Sequence, residues 1–238
     1  MELYFIRHAQ SENNFLLERT GSSEGRSSDP ELSAIGVQQA QRLAEFFAKS
    51  MQAASAQPPA KLKPVRLTHL YSSLMIRALE TATAISGAVD VPVTAWRDLH
   101  EGGGIYLKSP QTGERRGLPG LTSTELRRRF PELVLPNGTY EQGWWNRPYE
   151  EESEQLDRAR RVLERLLKVH GGSDDRVGVV SHEGFYKTLL AILLSLPEDS
   201  GILFEIYNAA MTRIDLTDGA IRVVYMNRMD YIPSGLIT

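Results

Sequence analysis

The sequence predicts an α/β domain built around a mainly parallel β-sheet. Short apolar runs rich in β-branched and aromatic residues alternate with segments whose apolar residues recur at helical spacing. This alternation places helices in the connections between strands, which makes neighbouring strands parallel. With 238 residues the chain is long enough to bury the core of one domain, and we predict a single domain over residues 1–238.

The first third of the chain predicts one strand, one loop and one helix. Residues 2–7 (ELYFIR) form the predicted strand, and residues 20–31 (TGSSEGRSSDPE) form a predicted mobile loop rich in glycine, serine and proline. Ser33 is placed to cap the helix that follows. The expected apolar stripe of that helix consists of Val37, Ala40, Leu43, Ala44 and Phe47. Residues 53–64 are expected to form an exposed connection.

The middle of the chain predicts a strand at 65–71, a helix over 73–86 and a short strand at 91–96. Beyond residue 101 the apolar residues no longer follow strand or helix spacing. Residues 102–150 contain many glycines and prolines and one short helical piece at 124–130, so we expect an insertion that lies over one face of the domain.

Regular patterns return in the last third. They predict helices over 151–170 and 184–194, with a buried strand at 176–181 between them. Two closing strands, at 211–216 and 221–226, flank an Asp218-Gly219 pair that is typical of a hairpin turn.

Composition limits the classes of function. Net charge is −3 and the isoelectric point is near 6.0, which argues against a nucleic-acid surface. The longest apolar run, near residues 189–194, is far shorter than a membrane span of ~20 residues, and Arg7 comes too early for a signal peptide. The chain has no cysteine, hence no disulfide or thiolate nucleophile, which suits a cytoplasmic enzyme.

Polar clusters follow four of the strand-like segments. They are Arg7-His8, Ser72-Ser73 with Arg77 one turn later, Asp98-Leu99-His100-Glu101, and His182-Glu183-Gly184. Ligands of open α/β sheets bind beyond the carboxyl ends of the strands. We therefore expect the four clusters to meet at one rim and to form one crevice.

These side chains suit phosphoryl transfer. Arginine remains charged and offers a planar fork of donors that matches phosphate oxygens. A neutral imidazole is a competent nucleophile toward phosphorus, and nearby guanidinium charges keep it neutral. A second histidine can donate to the phosphoryl oxygens, and a carboxylic acid can protonate the leaving alkoxide. No metal or cofactor is expected, because neither His-Glu pair continues as HExxH and no GxxxxGK occurs.

Five stretches in order resemble the histidine phosphatase superfamily, also called the phosphoglycerate-mutase-like family. They are RHAQSENN, LSAIGVQQA, YSSLMIRALETA, LHE and VVSHEG. The resemblance runs from Leu3 to about Tyr186 and is interrupted by the insertion. It implies a three-layer α/β/α sandwich around a mostly parallel sheet, with the insertion over the active-site face.

The resemblance also implies roles for single residues. His8 would be the nucleophile that forms a phosphohistidine, and Glu101 the proton donor. The residues implied to bind the transferred phosphoryl group are Arg7, Arg77 and His182. Asn14 matches the asparagine that closes the first motif, and Thr20 and Gly21 fall where mutase members contact substrate. Gly184 fits close packing at a strand-to-helix turn.

Two positions depart from the family pattern, which usually has glycine and glutamate where this chain has Ala9 and Gln10. Alanine requires an ordinary negative φ there, and the effect of Gln10 is not readable from the residues. Asp98 and Glu183 compete with Glu101 for the role of acid. For Arg77 the structural alternative is a salt bridge with Glu80.

Several other residues have plain structural interpretations. His69 is expected to pack within its strand, His100 and His170 are expected to be surface or core residues, and Arg127–Arg129 to form a solvated helix face. Trp144 and Trp145 either anchor the insertion or contribute to binding, and the sequence leaves both open.

The reaction favoured by the sequence is hydrolysis of a small phosphomonoester without a metal. A phosphoglycerate mutase is the alternative, because Arg115 and Arg116 could replace the basic pair of primer-dependent mutases, with Tyr106 and Lys108 nearby. A non-catalytic phospho-ligand binding module is a third hypothesis. The family includes monomers and homodimers, and the sequence leaves both open.

Overall fold

The computed structural model of the chain describes residues 1–53, 65–136, 140–197, 200–217 and 219–238. Its strands are β1 Glu2–Arg7, β2 His69–Ser72, β3 Val93–Ala95, β4 Tyr106–Lys108, β5 Arg115–Gly117, β6 Arg176–Ser181, β7 Met211–Thr217 and β8 Ala220–Arg228. Its α-helices are α1 Glu12–Thr20, α2 Ala34–Ala53, α3 Ile76–Val89, α4 Ser123–Arg129, α5 Glu152–His170 and α6 Glu183–Leu193. Short 3-10 turns lie at Arg97–Leu99 and Ser234–Leu236.

The main sheet of the described residues has the strand order β3-β2-β6-β1-β7-β8. β3, β2, β6 and β1 are parallel to one another, while β7 is antiparallel to β1 and forms a hairpin with β8. The prediction of a mainly parallel sheet with a closing hairpin is therefore confirmed. Of the predicted turn between β7 and β8, Asp218 lies outside the described residues.

Alternation along β1 divides the core into two layers. Leu3 and Phe5 contact apolar residues of α5 and α6 on one face of the sheet. Tyr4 and Ile6 contact residues of α2 and α3 on the other face. Because successive side chains of a strand point to opposite faces, a strand buried on both sides must be apolar throughout. The three-layer arrangement follows from this pattern.

The insertion has its own small core. Trp144 and Trp145 are buried and pack with Ile105, Leu126 and Phe130 against residues of the main body, among them Leu74 and Leu79. The insertion also contains a two-stranded antiparallel hairpin, β4 and β5, which the sequence analysis did not predict. Both tryptophans thus anchor the insertion. Of their two interpretations, anchoring and ligand binding, the structure supports anchoring.

Three sequence predictions need correction. Helix α1 was not predicted, although Ser11 and Asn14 form a reciprocal capping box at its start. Val37 is not part of the apolar stripe of α2, because its side chain is 57% exposed, whereas the other four stripe residues are buried. The second strand begins at His69 rather than at Val65. Ser33 does cap α2, since its Oγ accepts from the Gly36 N–H at 3.0 Å. Most of the predicted connection at 53–64 lies outside the described residues.

Candidate active site

The carboxyl ends of three neighbouring strands bring the predicted residues together. Arg7 pairs with Ser181 in the parallel register of β1 and β6, and Ser72 pairs with Val180 in that of β2 and β6. His8 and His182 follow directly after β1 and β6, and their ring centroids are 5.1 Å apart. The expected crevice therefore exists. It is a cavity of about 260 Å³ lined by Arg7, His8, Asn14, Arg77, Glu101 and Glu183, among others.

His8 has one nitrogen committed to the backbone and the other directed to an arginine. Its Nδ1 lies 2.7 Å from the carbonyl oxygen of Ala9. Because a carbonyl can only accept, Nδ1 carries the ring proton and Nε2 keeps its lone pair. Nε2 accepts from Nε of Arg77 at 3.1 Å. Burial, and then the charges of Arg77 and Arg7, hold the pKa of His8 well below its usual value, so the ring is neutral near pH 7.

Arg77 lies in the first turn of α3 and belongs to the site rather than to a surface ion pair. Besides His8, it faces Asp29, whose Oδ1 is 3.8 Å from its Nη1. Glu80, the partner expected in the structural alternative, pairs instead with Arg129 and accepts from the Leu32 N–H. Arg129 therefore does not belong to a purely solvated face.

Arg7, the last residue of β1, is fixed by two acceptors. Its Nη1 is 3.0 Å from a carboxylate oxygen of Glu183 and donates to the carbonyl oxygen of Ile206. Its Nε is buried and has no hydrogen-bond partner among the described residues. Burial lowers the pKa of Arg7, while Glu183 and Glu101 oppose this. Arg7 thus brings a buried positive charge with an unused donor to the cavity.

His182 is fully buried, and its Nε2 lies 2.9 Å from the hydroxyl oxygen of Ser73. That hydroxyl already accepts from the Met75 N–H at 3.2 Å, so it is free to donate its own proton to Nε2. Nδ1 of His182 has no partner in the described part of the chain. Burial, followed by the charge of Arg77, holds the pKa of His182 well below its usual value. The ring is therefore neutral and has an unpaired nitrogen, and it lies beside the His8 ring rather than in the cavity lining.

Glu101 lies at the N-terminus of α6. Its Oε1 accepts from the N–H groups of Gly102 and Phe185 at 2.9 and 3.0 Å, and its Oε2 accepts from the Gly184 N–H at 3.2 Å. A Cβ atom on Gly184 would lie 2.5 Å from Oε1. The glycine that the sequence analysis assigned to close packing therefore makes room for this carboxylate.

Neither of the two competing acids, Asp98 and Glu183, both lines the cavity and lacks an ion-pair partner. Asp98 does not line the cavity. Glu183 does, but its two oxygens pair with Arg7 and with Lys187 at 3.0 and 2.6 Å. Glu101 forms no ion pair with any described residue. Of the three candidate acids, Glu101 is thus the one that lines the cavity without an ion-pair partner among the described residues.

Asn14 reaches the cavity from α1. Its Oδ1 accepts from the backbone N–H and the hydroxyl of Ser11, at 3.1 and 2.7 Å. Its Nδ2 has no partner among the described residues. The capping box of α1 therefore positions an amide donor beside His8.

Four predicted substrate-binding residues lie outside the cavity lining. Thr20 ends α1 and bonds to the Leu16 carbonyl, and Gly21 is the left-handed cap of the same helix, with φ +65°. Both are exposed. Arg115 and Arg116 lie on β5, beside a separate groove that also includes Arg147. Tyr106, on the neighbouring strand β4, does line the cavity.

The two departures from the family pattern have structural explanations. Ala9 is fully buried, has no positive φ, and donates from its backbone N–H to Oγ1 of Thr81 at 3.1 Å. Gln10 is buried as well. Its side chain donates to Glu18 and accepts from Ser33, at 2.7 and 2.6 Å. Gln10 therefore ties α1 to the start of α2 behind the nucleophile.

The loop between α1 and α2 supplies site residues that the sequence analysis missed. Arg26 lines the cavity, and Asp29 lies behind Arg77. Asp29 accepts from the Ile76 N–H at 3.1 Å, and burial raises its pKa to about 7 against the opposing charge of Arg77. Nothing local in TGSSEGRSSDPE predicts that these two of its charged residues turn inward.

One group of possible metal ligands occurs among the described residues. The potential ligand atoms of His69, His170 and Asp175 lie within 4.8 Å of one another. His69 begins β2 and Asp175 precedes β6, whereas the cavity lies where these strands end, so the group is outside the active site. His69 is partly exposed, and its ring packs against those of Tyr71 and His170, as predicted for a packing role. His170 is buried. None of the described helices has the length and apolar character needed to cross a bilayer.

The fold and the site define a class of phosphoryl-transfer protein. The sequence model of the histidine phosphatase superfamily (branch 1) matches residues 3–229. The chain belongs to this superfamily, as its five motifs indicate. The match extends beyond the predicted resemblance to include the β7–β8 hairpin.

The relatives include both phosphatases and a mutase. The probable phosphoglycerate mutase GpmB from Proteus mirabilis is 27% identical over 216 residues, 90% of this chain and 85% of that protein. A mycobacterial glucosyl-3-phosphoglycerate phosphatase complexed with VO3 has a TM-score of 0.60 at 22% identity, covering 96% of this chain and 99% of the other. A phosphoserine phosphatase from Entamoeba histolytica complexed with 3-phosphoglyceric acid has a TM-score of 0.60 at 22% identity, covering 98% and 99%. The two structures share the fold.

Proposed function

We propose that the protein is a metal-independent phosphatase of small phosphomonoesters that acts through a phosphohistidine on His8. The observation that carries the proposal is the state of the His8 ring. It is neutral, its proton is held on Nδ1 by the Ala9 carbonyl, and its Nε2 lone pair faces Arg77 at the cavity. A substrate phosphate would take over the donor of Arg77 and bring phosphorus to Nε2.

In the first step the Nε2 lone pair forms a bond to phosphorus while the bond from phosphorus to the ester oxygen breaks. Glu101, entering in its protonated form, gives its proton to the leaving alkoxide. The ring becomes cationic with its Nδ1–H donating to Ala9, which stabilises the positive charge. Arg7, Arg77 and His182 donate to the phosphoryl oxygens as charge spreads over them.

In the second step Glu101, now a carboxylate, accepts a proton from water. The water oxygen bonds to phosphorus and the bond from phosphorus to Nε2 breaks, which releases inorganic phosphate and restores neutral His8. Glu101 is suited to both steps because it lines the cavity without an ion-pair partner among the described residues.

The proposal is tested by trapping the intermediate. Wild-type protein and His8→Ala are mixed with labelled phosphomonoesters in EDTA and quenched in alkali, where phosphohistidine survives. Label on the wild type alone, with EDTA-insensitive phosphate release, is the expected result. His69→Ala is the matched control, because this histidine lies outside the cavity. Activity that chelators abolish would contradict the proposal, and so would turnover that survives in His8→Ala.

A phosphoglycerate mutase is the second candidate, favoured by the name of the GpmB relative. The location of Arg115 and Arg116 outside the cavity lining supports the phosphatase instead. Free phosphate and isomerised phosphoglycerate are measured with and without 2,3-bisphosphoglycerate. Isomerisation that greatly exceeds phosphate release would replace the phosphatase with the mutase.

A further inference from the structure

Arg26 is a cavity residue that the proposed chemistry does not use. It lies in the loop between α1 and α2 and lines the same cavity as His8 and Arg77. Its charge is close enough to Arg77 to contribute to lowering the pKa of that arginine, along with burial and Arg7. Arg26 is therefore a third guanidinium in a cavity where Arg7 and Arg77 are the two proposed to bind the phosphoryl group.

An aromatic contact holds Arg26 in place. Its guanidinium carbon lies 4.8 Å from the ring centroid of Tyr106, and its Nη1 donates to the Tyr106 hydroxyl at 3.3 Å. The Tyr106 ring packs edge-on against Tyr149 at 4.8 Å, and Arg115 covers the Tyr149 ring at 4.5 Å. Stacking on an aromatic face positions a guanidinium while leaving its hydrogen-bond donors available.

The charge of Arg26 has no counterion in the described part of the chain. Arg7 pairs with Glu183, and Arg77 faces Asp29. Arg26 forms no ion pair with any described residue, and its buried Nε lacks a hydrogen-bond partner. A partly buried, unpaired guanidinium is costly unless an anion binds to it. In the proposed mechanism Arg7, Arg77 and the two histidines hold the phosphoryl group, so the anion for Arg26 is a different group.

We propose, on the basis of the phosphatase function above, that Arg26 and Tyr106 form a second subsite that binds an additional anionic group of the substrate. That group is a carboxylate or a second phosphate, since the arginine fork matches both. The two subsites share one cavity of about 260 Å³, so both anionic groups belong to one small molecule. Arg26 is thus a specificity-determining residue, and the loop that carries it selects doubly anionic phosphomonoesters.

The test uses three esters with the same three-carbon chain. Propyl phosphate has a neutral end, 3-phosphopropionate has a carboxylate, and propane-1,3-diol bisphosphate has a second phosphate. The readout is the ratio of kcat/KM for each doubly anionic ester to that for propyl phosphate. In Arg26→Met we expect the larger of these two ratios to fall by at least about tenfold. A loss of this size corresponds to one charge-assisted hydrogen bond. The doubly anionic ester whose kcat/KM ratio falls more carries the group that Arg26 binds.

Arg19→Met is the control, because Arg19 lies over Phe15 in the last turn of α1 and does not line the cavity. It should leave both ratios unchanged. Equal losses of Arg26→Met on all three esters would overturn the subsite, because a residue that only supports the fold or the phosphoryl pocket has no reason to distinguish them. Unchanged ratios would overturn it as well.

A binding measurement separates this inference from the proposed phosphatase. Calorimetric titration of His8→Ala with the three esters needs no turnover. Tighter binding of a doubly anionic ester that is lost in the His8→Ala, Arg26→Met double variant supports the subsite even if wild-type protein hydrolyses nothing. Equal affinities for the three esters, or no binding of any, would overturn the subsite whatever the activity.

Discussion

The floor and the cover of the cavity differ in how they are built. The floor consists of Arg7, His8 and Arg77, with the buried His182 packed beside His8. These residues lie at the ends of β1 and β6 or in the first turn of α3. The cover consists of the loop at 21–33 and the first residues of the insertion, of which Gly102, Gly104 and Tyr106 line the cavity. Parallel strands buried on both faces fix the floor. The loop at 21–33 is held by long-range contacts such as Arg26 with Tyr106, and the insertion by the packing of Trp144 and Trp145. Variants of the floor should therefore change turnover of every phosphomonoester, and variants of the cover should change selectivity or stability.

The largest effect is expected for His8→Ala. No other group of the floor can carry the phosphoryl group, because Nε2 of His182 is committed to Ser73 and the arginines are not nucleophiles at neutral pH. We expect kcat to fall roughly 10⁴-fold or more on all substrates, measured by phosphate release. A residual rate that differs widely between substrates would break the distinction between floor and cover.

Glu101→Gln should reduce turnover in proportion to how much the leaving group needs a proton. Loss of a general acid typically costs 10²- to 10⁴-fold, and we expect a loss of roughly that size with alkyl phosphates. With p-nitrophenyl phosphate, whose leaving group hardly needs a proton, the loss should be far smaller. Equal losses on the two substrates, measured as kcat/KM, would assign the acid role to Glu183.

Gly184→Ala should lower kcat/KM in the same substrate-dependent way as Glu101→Gln, but by less. The added Cβ would lie 2.5 Å from Oε1 of Glu101 and would displace the carboxylate. We expect a loss of about 10- to 100-fold on alkyl phosphates, again smaller on p-nitrophenyl phosphate. Gly87→Ala in α3 is the control, because a Cβ there meets nothing within 4 Å. Identical losses on both substrates would show that the substitution disturbs the floor as a whole.

Asp29→Asn should change the free energy of unfolding more than turnover. It tests the contribution of a loop residue of the cover to the stability of the fold. Burial raises the pKa of Asp29 to about 7, so between about pH 4 and 7 the folded protein retains a proton that the unfolded chain has released. The contribution of this carboxyl to stability is therefore full below pH 4 and is lost as the pH rises through 7. Wild type should lose on the order of 3 kcal/mol of unfolding free energy between pH 5 and 8 relative to Asp29→Asn.

Urea unfolding at the two pH values checks this expectation. Asp174→Asn is the matched control, because Asp174 is exposed and should follow the wild type. A wild type as insensitive to pH as Asp29→Asn would mean that Asp29 is ionised beside Arg77 in the folded protein.

Local sequence patterns were enough to locate the six strands of the main sheet and the charged and imidazole side chains at its carboxyl end. The apolar runs of β1 and β6 are local patterns, and the residues that follow them directly must lie at the carboxyl end of a parallel sheet. His8 and His182 are therefore placed at one rim by the sequence pattern alone. The capping box formed by Ser11 and Asn14 was an equally local signal that could have predicted α1.

The residues that cover the floor, and the groups that hold Glu101, are set by tertiary contacts. Glu101 accepts from the Gly184 N–H across 83 positions of the chain, and Arg26 reaches Tyr106 across 80. Such contacts depend on the packing of irregular segments, which have no periodicity from which their neighbours could be derived. For the same reason Arg115 and Arg116, which suit substrate binding by residue type, lie beside a different groove, while Arg26, with no motif around it, lines the cavity.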